Sequence, residues 1–171
     1  MTLVACCLAL LGAAAQDSWP TIHKDNQRSG FTAETVQGPY ERKWFRDFHE
    51  EMIASRVEAI VAEGKCFVGT FAGRLHALST ADGTTAWTFQ AGGPIGHSAL
   101  YDGGRIVFGA DDGKLHCLKA SDGSPVWTYD AGASIWVAPA ADGEKVYVGG
   151  RSGVIHAVSL KDGRRAWSFR T

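Results

Sequence analysis

The chain has 171 residues, of which 45% are hydrophobic and 20% are charged, and its formal net charge at pH 7 is −1. These values are typical of an ordinary globular protein of one domain or less. Its 17 basic and 18 acidic side chains leave no positive excess to attract nucleic acid or an anionic membrane, so neither partner class is predicted. The 21 glycines favour an all-β chain with many turns.

An apolar run from Leu3 to Ala15 lies near the start of the chain and ends in small residues. It is too short to span a bilayer, but it has the length and ending of a secretory signal peptide. We therefore expect residues 1–15 to be a signal peptide cleaved near Ala15, although no basic residue precedes the run. The segment Leu3-Val4-Ala5-Cys6 resembles a bacterial lipobox, so a lipid anchor at Cys6 is one alternative, and an uncleaved segment is another.

Residues 16–39 are polar and rich in turn formers, which predicts an irregular lead-in on the surface. Next, Arg42-Lys43-Trp44-Phe45-Arg46 has the composition of a β-strand. Trp44 lies forty-three positions before Trp87, the first of a regular series of tryptophans. We interpret this segment as an orphan strand, the last strand of a unit whose other strands are not found upstream.

Three tryptophans then recur at intervals of forty residues, and many other positions recur with them. The recurring sets are Trp87, Trp127 and Trp167; Gly69, Gly109 and Gly149; Gly73, Gly113 and Gly153; His76, His116 and His156; and Asp82-Gly83, Asp122-Gly123 and Asp162-Gly163. So many coincidences at one spacing indicate an internal repeat of about forty residues.

One copy of the repeat predicts four short antiparallel strands. Residues 114–119 and 125–129 are rich in strand-forming side chains, and Asp122-Gly123 lies between them. This dipeptide marks a hairpin, because glycine accepts the positive φ of a tight turn. Residues 106–109 form another strand upstream. Four strands in about forty residues are the content of one β-propeller blade, and no segment has the apolar spacing of a helical solenoid.

We therefore predict an all-β fold of three four-stranded antiparallel blades plus one orphan strand. The blades cover about residues 56–89, 97–129 and 136–169, within a repeat region of residues 40–171. Propellers close with about four to eight blades, so this propeller is incomplete. We expect a fragment of a longer propeller, whose partners are the remaining blades of the same chain or other protein subunits that close the ring.

The residues around each tryptophan resemble the tryptophan-docking motif of PQQ-like, quinoprotein-type β-propeller repeats. In that motif an alanine is followed six positions later by glycine and four positions further by tryptophan, as at Ala77, Gly83 and Trp87. The third copy matches fully, and the second has Cys117 in place of alanine. The resemblance implies that the tryptophans are buried between neighbouring blades. The implied docking residues are Trp87, Trp127, Trp167, Gly83, Gly123, Gly163, Ala77 and Ala157.

Burial of these indoles also has a physical reason. A lone four-stranded sheet has two apolar faces and cannot cover both, so it needs a neighbour on each side. An indole buries about 150–250 Å², and truncating a buried one costs roughly 3–5 kcal/mol. One tryptophan at each interface is therefore a large share of the adhesion between blades.

The repeated histidines do not predict a metal site. Equivalent positions on packed sheets lie roughly 10 Å apart, whereas zinc ligands lie about 2.0–2.1 Å from the ion. We interpret His76, His116 and His156 as strand residues. Asp111-Asp112-Gly113 has no third carboxylate at the spacing of a calcium loop, so we interpret it as a hairpin turn.

The cysteines and the missing catalytic motifs argue against a reaction centre. Cys66 and Cys117 occupy core strand positions in different blades, so we expect two free thiols. The resemblance implies that a quinoprotein dehydrogenase places adjacent cysteines over its quinone, and such a pair occurs here only at Cys6-Cys7, in the leader. No nucleophile elbow or phosphate loop is present. We assign no catalytic or metal-binding residue, and cofactor-binding residues stay unassigned.

Two functions follow from the resemblance. The first is an exported, non-catalytic binding or scaffolding module in the periplasm, the cell envelope or the medium of a bacterium, similar to the outer-membrane assembly lipoprotein. The second is the N-terminal part of a PQQ- and calcium-dependent alcohol or sugar dehydrogenase, in which PQQ and calcium would bind only to a complete ring. A self-assembling partial ring is a third alternative. We expect no cofactor on this chain alone.

Overall fold

The computed structural model describes residues 18–25, 29, 38–39 and 41–171. The predicted signal peptide and Cys6 lie outside the described residues, as does most of the lead-in. The described residues form twelve β-strands and no α-helix, arranged as three four-stranded antiparallel sheets. The predicted all-β fold is confirmed, and three blades are fewer than the four to eight that close a propeller. No helix long and apolar enough to cross a bilayer occurs in these ranges.

Each sheet contains consecutive strands in chain order, and we call the sheets blades 1, 2 and 3. Blade 1 contains β1 (Ile60–Ala62), β2 (Lys65–Gly69), β3 (Arg74–Ser79) and β4 (Thr85–Gln90). Blade 2 contains β5 (Leu100–Asp102), β6 (Arg105–Gly109), β7 (Lys114–Lys119) and β8 (Pro125–Asp130). Blade 3 contains β9 (Ala140–Ala141), β10 (Lys145–Gly149), β11 (Val154–Ser159) and β12 (Arg165–Arg170).

The turn between the last two strands of each blade follows from its Asp-Gly pair. Gly83, Gly123 and Gly163 all have φ of +73°, a region that favours glycine. The aspartate ahead of each glycine accepts a backbone hydrogen bond from two residues on, as in Ser124 N to Asp122 Oδ1 at 2.9 Å. All three blades also have the same irregularity of register between their third and fourth strands.

The hydrophobic core lies between consecutive sheets. One buried cluster joins blade 1 to blade 2 and includes Phe67 and Phe108, both at most 1% exposed. A second cluster joins blade 2 to blade 3 and includes Leu115 and Val146. The first strands β1, β5 and β9 lie next to one another, so the three blades diverge from a shared inner edge.

Two segments outside the blades differ from the simplest expectation. Residues 42–46, predicted to be an orphan strand, do not form a strand in the structure. A strand requires a hydrogen-bonded neighbour, and no described segment pairs with these residues. In the lead-in, Trp19 and Val61 exchange two backbone hydrogen bonds of 2.7 Å, which extends the inner edge of blade 1 by one bridge.

Candidate functional site

The indole of one repeat lies on the turn glycine of the next blade, and we call this arrangement an inter-blade contact. A methyl group built on Gly123 would lie 2.6 Å from Cε3 of Trp87, and Gly163 is similarly close to Trp127. Only glycine leaves room for the ring. The indole nitrogen also donates to a carbonyl near the turn, from Trp87 to Ala120 at 3.1 Å and from Trp127 to Leu160 at 2.9 Å.

Trp44 makes the same contact with blade 1, although its segment is not a strand. Its ring lies against Gly83, and its Nε1 donates to the carbonyl oxygen of Thr80 at 3.0 Å. The first blade therefore receives an indole in the same way as the second and third. The position of the ring is therefore set by the turn glycine. It does not require that the segment that carries the tryptophan be a β-strand.

The other predicted docking residues also have defined positions. Ala77 and Ala157 are fully buried and lie opposite Trp87 and Trp167 in the strand register. Cys117 replaces alanine in blade 2 and is also fully buried. The exposed fraction of the tryptophans differs, however: Trp127 is 9% exposed, whereas Trp167 on β12 is 46% exposed, because no described segment covers that face of blade 3.

The three repeated histidines are buried, one in each blade, beneath an aromatic ring of the preceding segment. The ring centroids are 5.1 Å apart for Phe48 and His76, 5.5 Å for Phe89 and His116, and 5.5 Å for Tyr129 and His156. They lie on β3, β7 and β11. Each histidine thus serves a separate interface, and the three do not share one site.

The histidines differ in their hydrogen-bond partners. Nε2 of His76 lies 2.8 Å from Glu51, and Nε2 of His116 lies 3.1 Å from Asp112. His156 instead pairs through Nδ1 with the Tyr129 hydroxyl at 2.9 Å, and its buried Nε2 has no hydrogen-bond partner among the described residues. Burial lowers the pKa of His116 below its ordinary value, although the Asp112 carboxylate opposes this shift. These contacts hold each imidazole in a blade interface.

The described residues do not offer the donor set of a calcium site, and they do not contain the adjacent cysteines that the resemblance implies for a quinone site. They contain no group of three or more His, Cys, Asp or Glu side chains placed to hold a metal ion. Cys66 and Cys117 are free thiols on strands of different blades, so they do not form an adjacent pair. Burial raises the pKa of Cys117 to about 12, which keeps it protonated and inert near neutral pH.

Sequence reasoning missed one pocket, of about 280 Å³, at the inner edge of the blades. Its walls include Arg56, Phe71, Gly96, Trp136 and Arg151. Arg56, Gly96 and Trp136 occupy equivalent positions in the forty-residue register, and so do Phe71 and Arg151. The three copies of the repeat differ at these positions, and this difference was the available signal for a site. No pattern in the sequence shows, however, that the two segments that carry these positions meet in space.

Comparisons with known proteins agree on the architecture. The family model described as outer membrane protein assembly factor BamB matches residues 71–171. BamB from Moraxella catarrhalis superposes with a TM-score of 0.65 at 25% identity, over 75% of this chain and 39% of that chain. No curated protein sequence matches the chain.

Two dehydrogenases have the same fold. Quinohemoprotein alcohol dehydrogenase from Comamonas testosteroni superposes with a TM-score of 0.75 at 21% identity, over 93% of this chain and 28% of that chain. The quinohemoprotein alcohol dehydrogenase ADHIIG from Pseudomonas putida HK5 superposes with a TM-score of 0.76 at 18% identity, over 91% of this chain and 27% of that chain. Identities this low show the fold alone. The chain spans less than two fifths of the length of each of these three proteins.

Proposed function

The chain belongs to the family described as outer membrane protein assembly factor BamB, and on that premise we propose that it is an exported, non-catalytic module that binds other proteins. The chain is a PQQ-like β-propeller repeat protein, and its repeated residues support a scaffolding role. The observation that carries the proposal is that repeated residues hold adjacent blades together. Trp87 and Trp127 each donate a hydrogen bond to the next blade, and His116 of blade 2 lies beneath Phe89 of blade 1. Residues used in this way build a rigid surface for binding.

The proposed docking role of the tryptophans extends to Trp167. The outer face of blade 3 exposes Trp167, Phe169 and Ile155, which are 46%, 62% and 38% exposed. In blades 1 and 2 the corresponding face is covered by the next blade. We propose that this face receives a further blade, from a longer chain or from another subunit, through the same inter-blade contact.

The proposed location is outside the cytoplasm. Residues 3–15 have the apolar composition of a secretory leader, and assembly factors of the outer membrane act in the cell envelope. A lipid anchor at Cys6 would hold the module at a membrane surface, whereas cleavage near Ala15 would release it. The mass of the exported protein distinguishes the two.

The second candidate is a segment of a PQQ- and calcium-dependent dehydrogenase. It rests on the fold that the chain shares with the two quinohemoprotein alcohol dehydrogenases. The described residues do not offer a donor set for the metal, and their two cysteines do not form an adjacent pair. In this case the cofactor would require residues of further blades that complete the ring.

A cofactor titration of the whole encoded protein separates the two candidates. Tryptophan fluorescence is followed while PQQ and calcium are added, and reduction of an artificial dye by ethanol and by glucose is then measured. The proposed module shows no saturable quenching and no dye reduction. Saturable quenching together with dye reduction would show the dehydrogenase.

A further inference from the structure

The pocket at the inner edge is formed by segments of all three blades. Arg56, Gly96 and Trp136 each lie a few residues before the first strand of a blade, so these segments meet where the blades converge. Phe71 and Arg151 come from the turns between the second and third strands of blades 1 and 3. The pocket therefore exists only when the three blades are assembled.

The residues of this pocket are not those that build the repeat. Positions that maintain the blade have the same residue in all three copies, as the turn glycines do. In contrast, one register position holds Arg56, Gly96 and Trp136 in turn. A second position holds Phe71, Asp111 and Arg151. The different side chains together make one asymmetric site.

Trp136 is a fixed wall of the pocket. Its Nε1 donates to Asp111 Oδ1 at 2.8 Å, and its ring lies so close to Gly96 that a methyl group there would be 2.6 Å from Cε3. The ring of Phe71 meets it edge-on, with centroids 5.8 Å apart. The indole is thus held on one face, on its edge and at its nitrogen.

Arg151 lies over the remaining face of the indole, with its guanidinium carbon 5.3 Å from the ring centroid. A stacked guanidinium keeps its in-plane N–H groups available for hydrogen bonds to an oxyanion. Arg56 lines the same pocket, and neither guanidinium has an ion pair within 4 Å among the described residues. Two arginine residues therefore line one small cavity.

The nearby carboxylate of Asp111 reduces this positive charge but does not cancel it. Hydrogen bonds from the side chains of Ser134 and Trp136, together with the charge of Arg151, hold the pKa of Asp111 below its ordinary value. Asp111 is therefore ionised at neutral pH. The side chains of Arg56, Arg151 and Asp111 together carry a net charge of +1.

We propose that this pocket binds a glutamate or aspartate side chain of an acidic segment in a protein partner. Guanidinium groups bind carboxylates through paired, charge-assisted hydrogen bonds. A cavity of about 280 Å³ lies at the lower end of the sizes of ligand sites, and it has room for one inserted side chain. This inference rests on the proposed binding function and names the chemistry of its partner.

The test is an NMR titration of the chain with a synthetic peptide of alternating glutamate and serine. The signals followed are the indole N–H of Trp136 and the Nε–H groups of Arg56 and Arg151. A saturable shift of these signals is expected, and a matched glutamine–serine peptide is expected to give none. Because the contacts are charged, raising NaCl from 50 to 300 mM should weaken binding several-fold.

Matched variants assign the effect to this pocket. Arg56→Gln and Arg151→Gln should each weaken binding about tenfold, the size of one lost charged hydrogen bond. Asp111→Asn keeps an acceptor for Trp136 but removes the opposing charge, so it should tighten binding a few-fold. The double variant Arg164→Gln/Arg165→Gln removes two charges from the β11–β12 turn and β12, and it should bind like the wild type.

Three outcomes would overturn the inference: no saturable shift, equal loss in the Arg164/Arg165 control, or displacement of the peptide by equimolar inorganic phosphate. The last would show a general anion site. The proposed function fails separately, through quinone quenching with dye reduction. A silent cofactor titration with a negative peptide titration would retain the binding module and reject only this pocket.

Discussion

His116 lies beneath Phe89, stacks on Phe108 and pairs with Asp112. Its side chain is only 7% exposed, and burial lowers its pKa below the ordinary value of 6.5. In the unfolded chain the imidazole binds a proton more readily than in the folded one. Folding is therefore favoured above pH 6.5 by this group, and that stabilisation is lost as the pH falls through 6.5 towards the lower folded pKa.

We predict that the free energy of unfolding falls as the pH is lowered from 7.5 to 5.5. Burial lowers the pKa of His156 as well, which adds to the effect. The measurement is urea denaturation at four pH values, with His116→Gln as the comparison, because glutamine keeps a polar group beside Asp112 without titrating. The slope should be smaller in the variant. Stability that rises on acidification through this window would contradict the assignment.

At the scale of the element, the Asp-Gly hairpin connects strand structure to the contact between blades. Gly123 requires glycine for two reasons, its φ of +73° and the ring of Trp87 against its α-carbon. Gly143 also has a positive φ, +90°, but a methyl group built there meets nothing within 4 Å. Substitution of Gly143 therefore measures the backbone strain alone, whereas substitution of Gly123 measures the strain together with the clash against the ring.

We predict that Gly143→Ala costs about 1–2 kcal/mol of stability, from backbone strain alone. Gly123→Ala should cost roughly 1–3 kcal/mol more, because the added methyl group also displaces the indole. Urea denaturation of both variants measures the difference. Equal costs at the two sites would show that the tryptophan does not need the space above the glycine.

Most of the elements could be predicted from the sequence, because their signals are local. An apolar strand, an Asp-Gly pair and a second apolar strand fix a hairpin wherever it lies, and the spacing of forty fixes the number of blades. The segment at Trp44 could be recognised by its tryptophan, but its lack of a ladder depends on a neighbour that local composition does not reveal. Trp19 pairs with Val61 across more than forty residues, and no local pattern predicts that bridge.

The pocket was beyond sequence reasoning for a related reason. Arg56, Trp136 and Arg151 are up to 95 positions apart, and each belongs to an irregular segment outside the strands. Their meeting depends on the angle between blades. We expect the inter-blade contacts to set that angle. The pocket then depends on the docking tryptophans, although none of them lines it.

At the scale of the whole molecule, the chain is a row of small sheets, and each hydrophobic core lies between two consecutive sheets. Phe71 and Trp136 add one contact between the loops of blades 1 and 3. In such arrays stability is approximately the sum of the stability of each unit and the energy of each interface. Trp127 occupies the interface between blades 2 and 3, whereas Trp167 faces solvent on the outer side of blade 3. The two residues are equivalent in the repeat but not in their surroundings, so they form a matched pair.

The most direct test of these inter-blade contacts is urea denaturation of Trp127→Ala and Trp167→Ala in the same chain. Trp127→Ala should lose about 3–5 kcal/mol, because a buried indole and its hydrogen bond to Leu160 are removed. Trp167→Ala should lose clearly less, about 1–2 kcal/mol, because nearly half of its surface is already in water. Equal losses, or an unchanged midpoint for Trp127→Ala, would contradict the claim that buried indoles hold the blades together.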